Sequence, residues 1–291
     1  MLQGKTIMKI KAYAKINLTL DVTGRREDGY HTIDSVMQTI DVCDDLTLEK
    51  NTCGEIRLSS NKEYLPKNES NTAFRAAKLF FEECGLPGGV DIHIIKRIPS
   101  RAGMGGGSTD AAAVLHALNR MYERNLPLEQ LIDLGRRVGA DVPFCVAGGT
   151  CRCTGIGEIC EPVPPMPDCA LLICRPPAGV STPKAYALMD RYPLGGSRAT
   201  PRMLTALENG RLRDVSNVLA NRFDETMKLM QVRQVKKLML GGGALGAMMT
   251  GSGSAVYGIF PTREQAEACK PLLDGKGKLF LSRPLNPEPT Q

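Results

Sequence analysis

The residues best able to do chemistry in this chain lie in PSRAGMGGGSTDAA, residues 99–112. Gly103, Gly105, Gly106 and Gly107 crowd together and are followed by Ser108, Thr109 and Asp110, after which Ala111, Val114, Leu115, Leu118 and Met121 recur at helical spacing. Glycines let backbone N–H groups approach an anion with no Cβ in the way. A helix start adds unpaired N–H donors and the positive end of the helix dipole. The pattern predicts a phosphate cradle running from Pro99 through Ala102, Gly103, Met104, Gly105, Gly106 and Gly107 to Ser108 and Thr109. The two hydroxyls would donate to phosphate, or Ser108 would ligate a magnesium ion that accompanies it. The alternative is a tight strand-to-helix turn with no ligand. No GxxxxGK[ST] sequence occurs, so cationic charge for a phosphate must come from elsewhere in the chain.

Three other places carry groups suited to that task. Residues 9–22 alternate strictly, with Ile10, Ala12, Ala14, Ile16, Leu18, Leu20 and Val22 set against Lys11, Tyr13, Lys15, Asn17, Thr19 and Asp21. The period of two predicts a half-buried strand with Lys15 and Asn17 side by side on its polar face, or a plain exposed face. The next stretch, TGRREDGYHTIDSV, predicts a loop exposing Tyr30 and His31 together, a pair that could grip a planar base or simply pack. In GADVPF, Gly139 and Pro143 bracket Asp141 and hold its backbone. That carboxylate is either held for chemistry or caps its own turn.

The elements that must position these groups follow in order. Leu46–Leu48 and Glu55–Ser60 are short strand candidates, and Asn71 stands at the N-cap of a helix with Phe74, Ala77, Leu79 and Phe81 on its apolar face. Val90–Ile95 is the strand that feeds the glycine loop, and Lys96 and Arg97 at its exit are near enough in sequence to reach a nucleotide held there. A helix runs from the loop to about Tyr122 and a second spans Leu128–Val138. PVPPMPD is a proline-rich connector and places a domain boundary near residue 162. Beyond it come an apolar strand, Ala170–Cys174, a loop into a helix bearing Tyr186, and helical spacing over Arg202–Leu207, Asp214–Leu219 and Glu225–Met239. Gly241, Gly243 and Gly246 formally match GxGxxG. They follow a helix and precede a strand, the reverse of a dinucleotide fingerprint, which excludes that reading. Gly251, Ser252, Gly253 and Ser254 form a second glycine turn, and the tail from Pro284 is expected to be mobile.

Composition bounds the answer. The chain has 291 residues, 42% of them hydrophobic, enough for two modest domains. Its formal charge of +6 suits an anionic small ligand, but the basic residues are scattered and aromatics make up 5%, unlike a nucleic-acid reader. No segment has signal-peptide character and none reaches the roughly 18 apolar residues of a membrane span, so a cytoplasmic location is expected. Ten cysteines in such a chain read as reduced thiols. Cys151, Cys153 and Cys160 have the only metal-like spacing, without the CxxC pair or nearby histidine of a zinc site.

Three ordered segments, KAYAKINLTL, IPSRAGMGGGSTDAA and MTGSGSAVYGIF, together resemble the GHMP kinase superfamily. DGYH, GADVPF and GIGE make the chain most similar to its branch of cytidine diphosphate sugar-alcohol kinases, over nearly the whole length. The resemblance implies an α+β, two-domain fold. A ribosomal S5-like N-terminal domain would occupy residues 1–161 and a ferredoxin-like C-terminal domain 162–291, with the active site in the cleft between them. It implies ATP-dependent phosphorylation of a 2-hydroxyl in isoprenoid precursor synthesis, with ATP and magnesium as cofactors. The family's catalytic pair falls on Lys15 and Asp141, its cytidine contacts on Asn17, Tyr30 and His31, and a second aromatic on Tyr186. Asn71 and Lys96 align near the adenine. NRFDETM departs from the family's asparagine-acidic pattern, so Asn221 and Asp224 receive no role. The partners implied are two small molecules, with no nucleic acid or membrane, for a monomer or weak homodimer. Rival readings are a homoserine or mevalonate kinase, mevalonate diphosphate decarboxylase, or a nucleotide-binding regulator. The DGYH segment speaks against the first three, which have no cytosine to grip, and the presence of both Lys15 and Asp141 against the last.

Overall fold

The computed structural model describes residues 6–177, 179–192 and 199–286. In chain order the elements are β1 (Ile7–Arg25), β2 (His31–Lys50), β3 (Ile56–Ser60), α1 (Thr72–Glu83), β4 (Val90–Ile95), α2 (Gly106–Met121), α3 (Leu128–Val138), α4 (Val142–Ala147), β5 (Thr150–Thr154) and β6 (Ile159–Pro162). They continue with β7 (Ala170–Arg175), α5 (Thr182–Met189), α6 (Ala199–Glu208), α7 (Leu212–Asn217), β8 (Ala220–Asn221), α8 (Arg222–Met227), α9 (Met230–Gly241), β9 (Gly246–Met249), β10 (Val256–Phe260), α10 (Arg263–Cys269) and β11 (Lys278–Ser282). The class is α+β, as expected. Two compact units interleave along the chain. One comprises the residues up to Ala14 with Cys43–Ile98 and Gly105–Ala147, and the other comprises Lys15–Val42, Pro99–Met104 and everything from Gly148.

In the first unit, β3 runs parallel to β4, and β4 runs antiparallel to β2 from Asp45↔Ile95 to Lys50↔Val90. Helices α1 to α4 bury Phe80, Leu115, Leu118, Leu131 and Leu134 against Leu46, Leu48 and Ile92. Asn71 opens α1 as the N-cap, its side chain accepting the Ala73 N–H at 2.9 Å. The helix turns Ala73, Ala76, Ala77, Phe80 and Phe81 inward. Phe74 and Leu79, expected on that face, are only half-buried because the stripe is rotated toward the small alanines, which let α2 approach closely.

In the second unit, β5 pairs antiparallel with β2 and with β6, and β8 runs parallel to β1 at Thr19↔Ala220. A separate antiparallel sheet has the order β11-β7-β10-β9. Its β–α–β–β–α–β connectivity and order are those of a ferredoxin-like domain. Leu172, Cys174, Val256 and Phe260 pack there against Val232, Val235 and Met239 of α9.

Several expectations are corrected. The first two strands are far longer than their sequence signals, because only residues 27–29 form the turn between them and alternation resumes at His31. The helix read over Glu225–Met239 is two helices, broken where Lys228 adopts φ 48°, a left-handed cap that ends α8. The start of the tail is anchored rather than mobile. Pro284 bridges to Ile40, the Leu285 N–H donates to the Thr39 carbonyl at 2.8 Å, and Gln38 Nε2 donates to the Leu285 carbonyl at 3.0 Å. Residues 287–291 lie outside the described residues.

Candidate active site

The glycine loop departs from ordinary backbone at alternate residues, Arg101, Gly103 and Gly105, with φ of 53°, 76° and 71°. Gly105 is the N-cap of α2 and provides no side-chain cap, so the first N–H groups of the helix, at Gly106, Gly107 and Ser108, have no acceptor within it. This is the donor set an anion requires. At Gly103 an added Cβ would lie 2.0 Å from the Thr250 carbonyl oxygen, so close approach demands glycine as much as φ does. Ala102 and Met104 are buried, and their carbonyls accept the N–H groups of Ala255 and Lys15 at 3.2 and 3.1 Å. Ser108 is half-buried at the third position of α2. Thr109 differs from expectation. It is buried and its hydroxyl donates to the Gly106 carbonyl at 3.1 Å, which directs it into the helix.

Beneath the start of α2 lies a buried ionic cluster that the sequence did not announce. Lys96 Nζ donates to the carboxylates of Asp44 and Asp110, the latter at 2.7 Å, and to the Gly106 carbonyl at 3.0 Å. All three donors of the ammonium are thereby engaged. The charge of Lys96 serves two carboxylates below the loop. Arg97, at the same strand exit, pairs with Asp45 at 2.6 Å. Burial pushes the Asp110 carboxyl up to about 7 against the pull of Lys96, and the neighbouring Asp44 adds to the rise. Burial works to lower the Lys96 ammonium, but the two carboxylates outweigh it and its pKa is raised.

Asn71 has its side chain committed to the fold, its Oδ1 capping α1 and its Nδ2 donating to the Pro66 carbonyl at 2.9 Å. The next residue joins the two helix starts, as Thr72 Oγ1 donates to the Gly107 carbonyl at 2.6 Å. Asp141 is half-buried and directly precedes α4, where its carbonyl accepts the Cys145 N–H at 3.2 Å. Gly139 is extended and closes α3, and Pro143 sits in the first turn of α4, where a missing N–H costs nothing. His116 on α2 ties α4 down by donating Nε2–H to the Val146 carbonyl at 3.0 Å.

In the second unit, Lys15 and Asn17 are neighbours as read, but neither is on an exposed face. They are 3% and 0% exposed, because the turn after β9 and the neighbouring strands cover the polar side of β1. Lys15 Nζ donates to Asn17 Oδ1 at 2.8 Å. The same oxygen accepts the Gly251 N–H at 3.0 Å, while Asn17 Nδ2 donates to Ser35 Oγ at 2.9 Å. Tyr257 OH donates to the Asn17 carbonyl at 2.8 Å, and burial holds that phenol well above its usual pKa, so it remains a donor. The late glycine turn thus grips the asparagine that grips the lysine.

Tyr30 and His31 part company. Tyr30 is 62% exposed beyond the turn, whereas His31 is 7% exposed because it already belongs to β2. Its ring stacks on Tyr186 at 5.1 Å and 22°, and Tyr186 meets Phe223 edge-on at 4.9 Å. His31 Nε2 lies 2.9 Å from Asp190 Oδ1 at the end of α5. His31 and Tyr186, distant in sequence, are therefore brought together. Sequence reasoning missed Asp190, Phe223 and Ser35, which only long-range contacts place here. It also gave Asn221 no role, yet that side chain caps α8 and its Nδ2 donates to the carbonyls of Met249 and Gly251 at 2.7 and 2.9 Å. An asparagine followed three and four residues on by Asp224 and Glu225 was a readable helix-start signal. Asp224 in turn pairs with Lys236.

Residues 71–149 match the GHMP kinases N terminal domain, and residues 203–271 match the GHMP kinases C terminal domain. A 4-diphosphocytidyl-2-C-methyl-D-erythritol kinase of Clostridium perfringens is 42% identical over 284 residues, covering 96% of this chain and 99% of that protein. One of the same name from Caldicellulosiruptor saccharolyticus is 45% identical over 262 residues, covering 89% and 90%. A crystal structure of 4-(cytidine 5'-diphospho)-2C-methyl-D-erythritol kinase superposes with a TM-score of 0.80 at 33% identity, covering 95% of this chain and 99% of the other.

Proposed function

Because this chain belongs to the GHMP kinases, and within them to the 4-diphosphocytidyl-2-C-methyl-D-erythritol kinase family, we propose that it transfers the γ-phosphate of ATP to the 2-hydroxyl of that cytidine diphosphate sugar alcohol. The observation that carries this reading is similarity at 42% identity across nearly the full length of both chains. The donor side rests on the glycine loop, whose N–H groups at the start of α2 suit the ATP phosphates. Ser108, on the same turn, is the side chain that would hold magnesium. Magnesium when bound supplies neutralisation of charge on the phosphate oxygens.

Phosphoryl transfer asks the protein mainly to align donor and acceptor and to stabilise developing charge. Asp141 accepts or orients the acceptor's hydroxyl proton. Lys15 steadies charge on the transferring group, and Asn17 orients Lys15 through its 2.8 Å hydrogen bond. Tyr30, His31 and Tyr186 form the cytosine end, where exposed Tyr30 offers an aromatic face and His31 is held by Asp190 and Tyr186. Asn71 and Lys96 serve the nucleotide by holding the starts of α1 and α2. The family domains divide after residue 161, between the matched segments ending at 149 and beginning at 203. The scattered basic residues support small-molecule partners, and among the described residues no helix is long and apolar enough to cross a membrane. The reading includes a cytoplasmic location and a monomer or weak homodimer.

Coupled ADP release, measured with the cytidine diphosphate sugar alcohol, mevalonate and homoserine in parallel, tests the assignment. Turnover is expected with the first alone. Efficient turnover of either other acceptor would overturn the acceptor assignment. ATP binding without turnover of any acceptor would favour the regulator.

A further inference from the structure

The kinase reading leaves Cys151, Cys153 and Cys160 without work. All three lie on the hairpin of β5 and β6, where Cys153 stands directly opposite Cys160 in an antiparallel register. The type of this pair follows from the ladder. The Val163 N–H donates to the Thr150 carbonyl at 3.0 Å, so the pair at residues 150 and 163 is hydrogen-bonded. Alternation then makes Cys151↔Pro162 and Cys153↔Cys160 non-hydrogen-bonded pairs, consistent with the missing N–H of Pro162. Such pairs bring their Cα atoms to about 4.5 Å, within the roughly 4.4–6.8 Å that a disulfide spans. The side chains point at each other, with the sulfurs 3.5 Å apart. Cys153 is buried and Cys160 is half-buried, so one thiol faces approach from solvent and the other stands behind it.

We propose that Cys160 and Cys153 form a thiol–disulfide exchange site that accepts low-molecular-weight disulfides of the glutathione type. The Cys160 thiolate attacks one sulfur of the small disulfide. That S–S bond breaks, a mixed disulfide forms on Cys160, and the first small thiolate leaves and takes a proton. Cys153, its proton passing to the departing small thiolate, then attacks the Cys160 sulfur, forms the bond across the hairpin and expels the second small thiol. Two protein thiols are oxidised and one small disulfide is reduced to two thiols, so electrons and protons balance. Cys151 is excluded as the resolving thiol. It stands on β5 opposite Pro162, two positions along β6 from Cys160, whereas Cys153 faces Cys160 directly. Oxidation fastens β6 to β5 at the residue that β5 sets against Ser35, the partner of Asn17.

The test incubates the folded chain with glutathione disulfide at graded ratios to glutathione, followed by alkylation, intact mass and peptide mapping. The expected product has lost two hydrogens and contains a crosslinked peptide joining residues 153 and 160, reversed by dithiothreitol. Cys160→Ser, a change at a half-buried position, should abolish the crosslink, and Cys153→Ser should stop at the mixed disulfide on Cys160. Modification confined to exposed Cys53 would overturn the proposal. So would a mixed disulfide on Cys160 that persists in the unmutated chain, or a crosslink that survives Cys160→Ser.

Discussion

Asp110 has one carboxylate oxygen, Oδ1, buried without a hydrogen-bond partner, while Oδ2 receives Lys96 at 2.7 Å. Two buried carboxylates therefore share one ammonium, and the deficit appears as the rise of Asp110 from 3.8 to about 7. Between those values the folded chain binds a proton that the unfolded chain does not, so unfolding releases it and stability falls as pH rises through the window. The penalty is absent below the lower value and complete above the upper one. Asp110→Asn removes the ionisation and also weakens the contact with Lys96 at every pH, so the trend is the informative quantity. Urea unfolding at pH 5 and pH 8 should show the variant gaining stability relative to the parent on going to pH 8. A constant difference, or a relative loss at pH 8, would mean that Asp110 is ionised across the range. The sequence offered Lys96 at a strand exit and Asp110 in a helix start. It had no means of showing that Asp44, from another strand, completes the cluster.

Among elements, the glycine loop and the turn after β9 determine each other's backbone. Thr250 Oγ1 donates toward the Gly103 carbonyl at 3.2 Å, and Gly103 has no room for a side chain beside the Thr250 carbonyl. Gly103→Ala must move one of two backbones and also holds a Cβ at φ 76°, a conformation that costs about 1–2 kcal/mol for an L residue before any clash. Gly85→Ala is its control, with φ 60° and nothing within 4 Å of the added atom. Thermal unfolding should show a larger drop for Gly103→Ala than for Gly85→Ala, and the KM for ATP should rise at least several-fold in the first alone. Equal drops with unchanged ATP use would reduce the loop to an ordinary turn. The loop was legible from its glycines. Its dependence on Thr250 was not, because that contact joins positions far apart along the chain.

For the whole molecule, ligand binding and stability are linked, since any ligand that binds only the folded chain raises its unfolding midpoint. This separates chemistry from binding at Asp141. Asp141→Asn keeps the side chain's size but can neither accept a proton nor carry charge, so turnover should fall by about a hundred- to ten-thousand-fold. Saturating ATP and acceptor should still raise the midpoint as they do in the parent. A lost midpoint shift alongside lost turnover would assign Asp141 to substrate binding instead. By itself the sequence determined what local pattern can carry: the helix after the glycine loop, the Asn71 cap, Leu128–Val138 and the two glycine turns. Local periodicity reports which way a side chain points along its own element but not what packs over it. For that reason only the tertiary structure decided that Lys15 and Asn17 are buried, that His31 stacks on Tyr186, that Lys96 answers to two carboxylates, and that Cys153 faces Cys160.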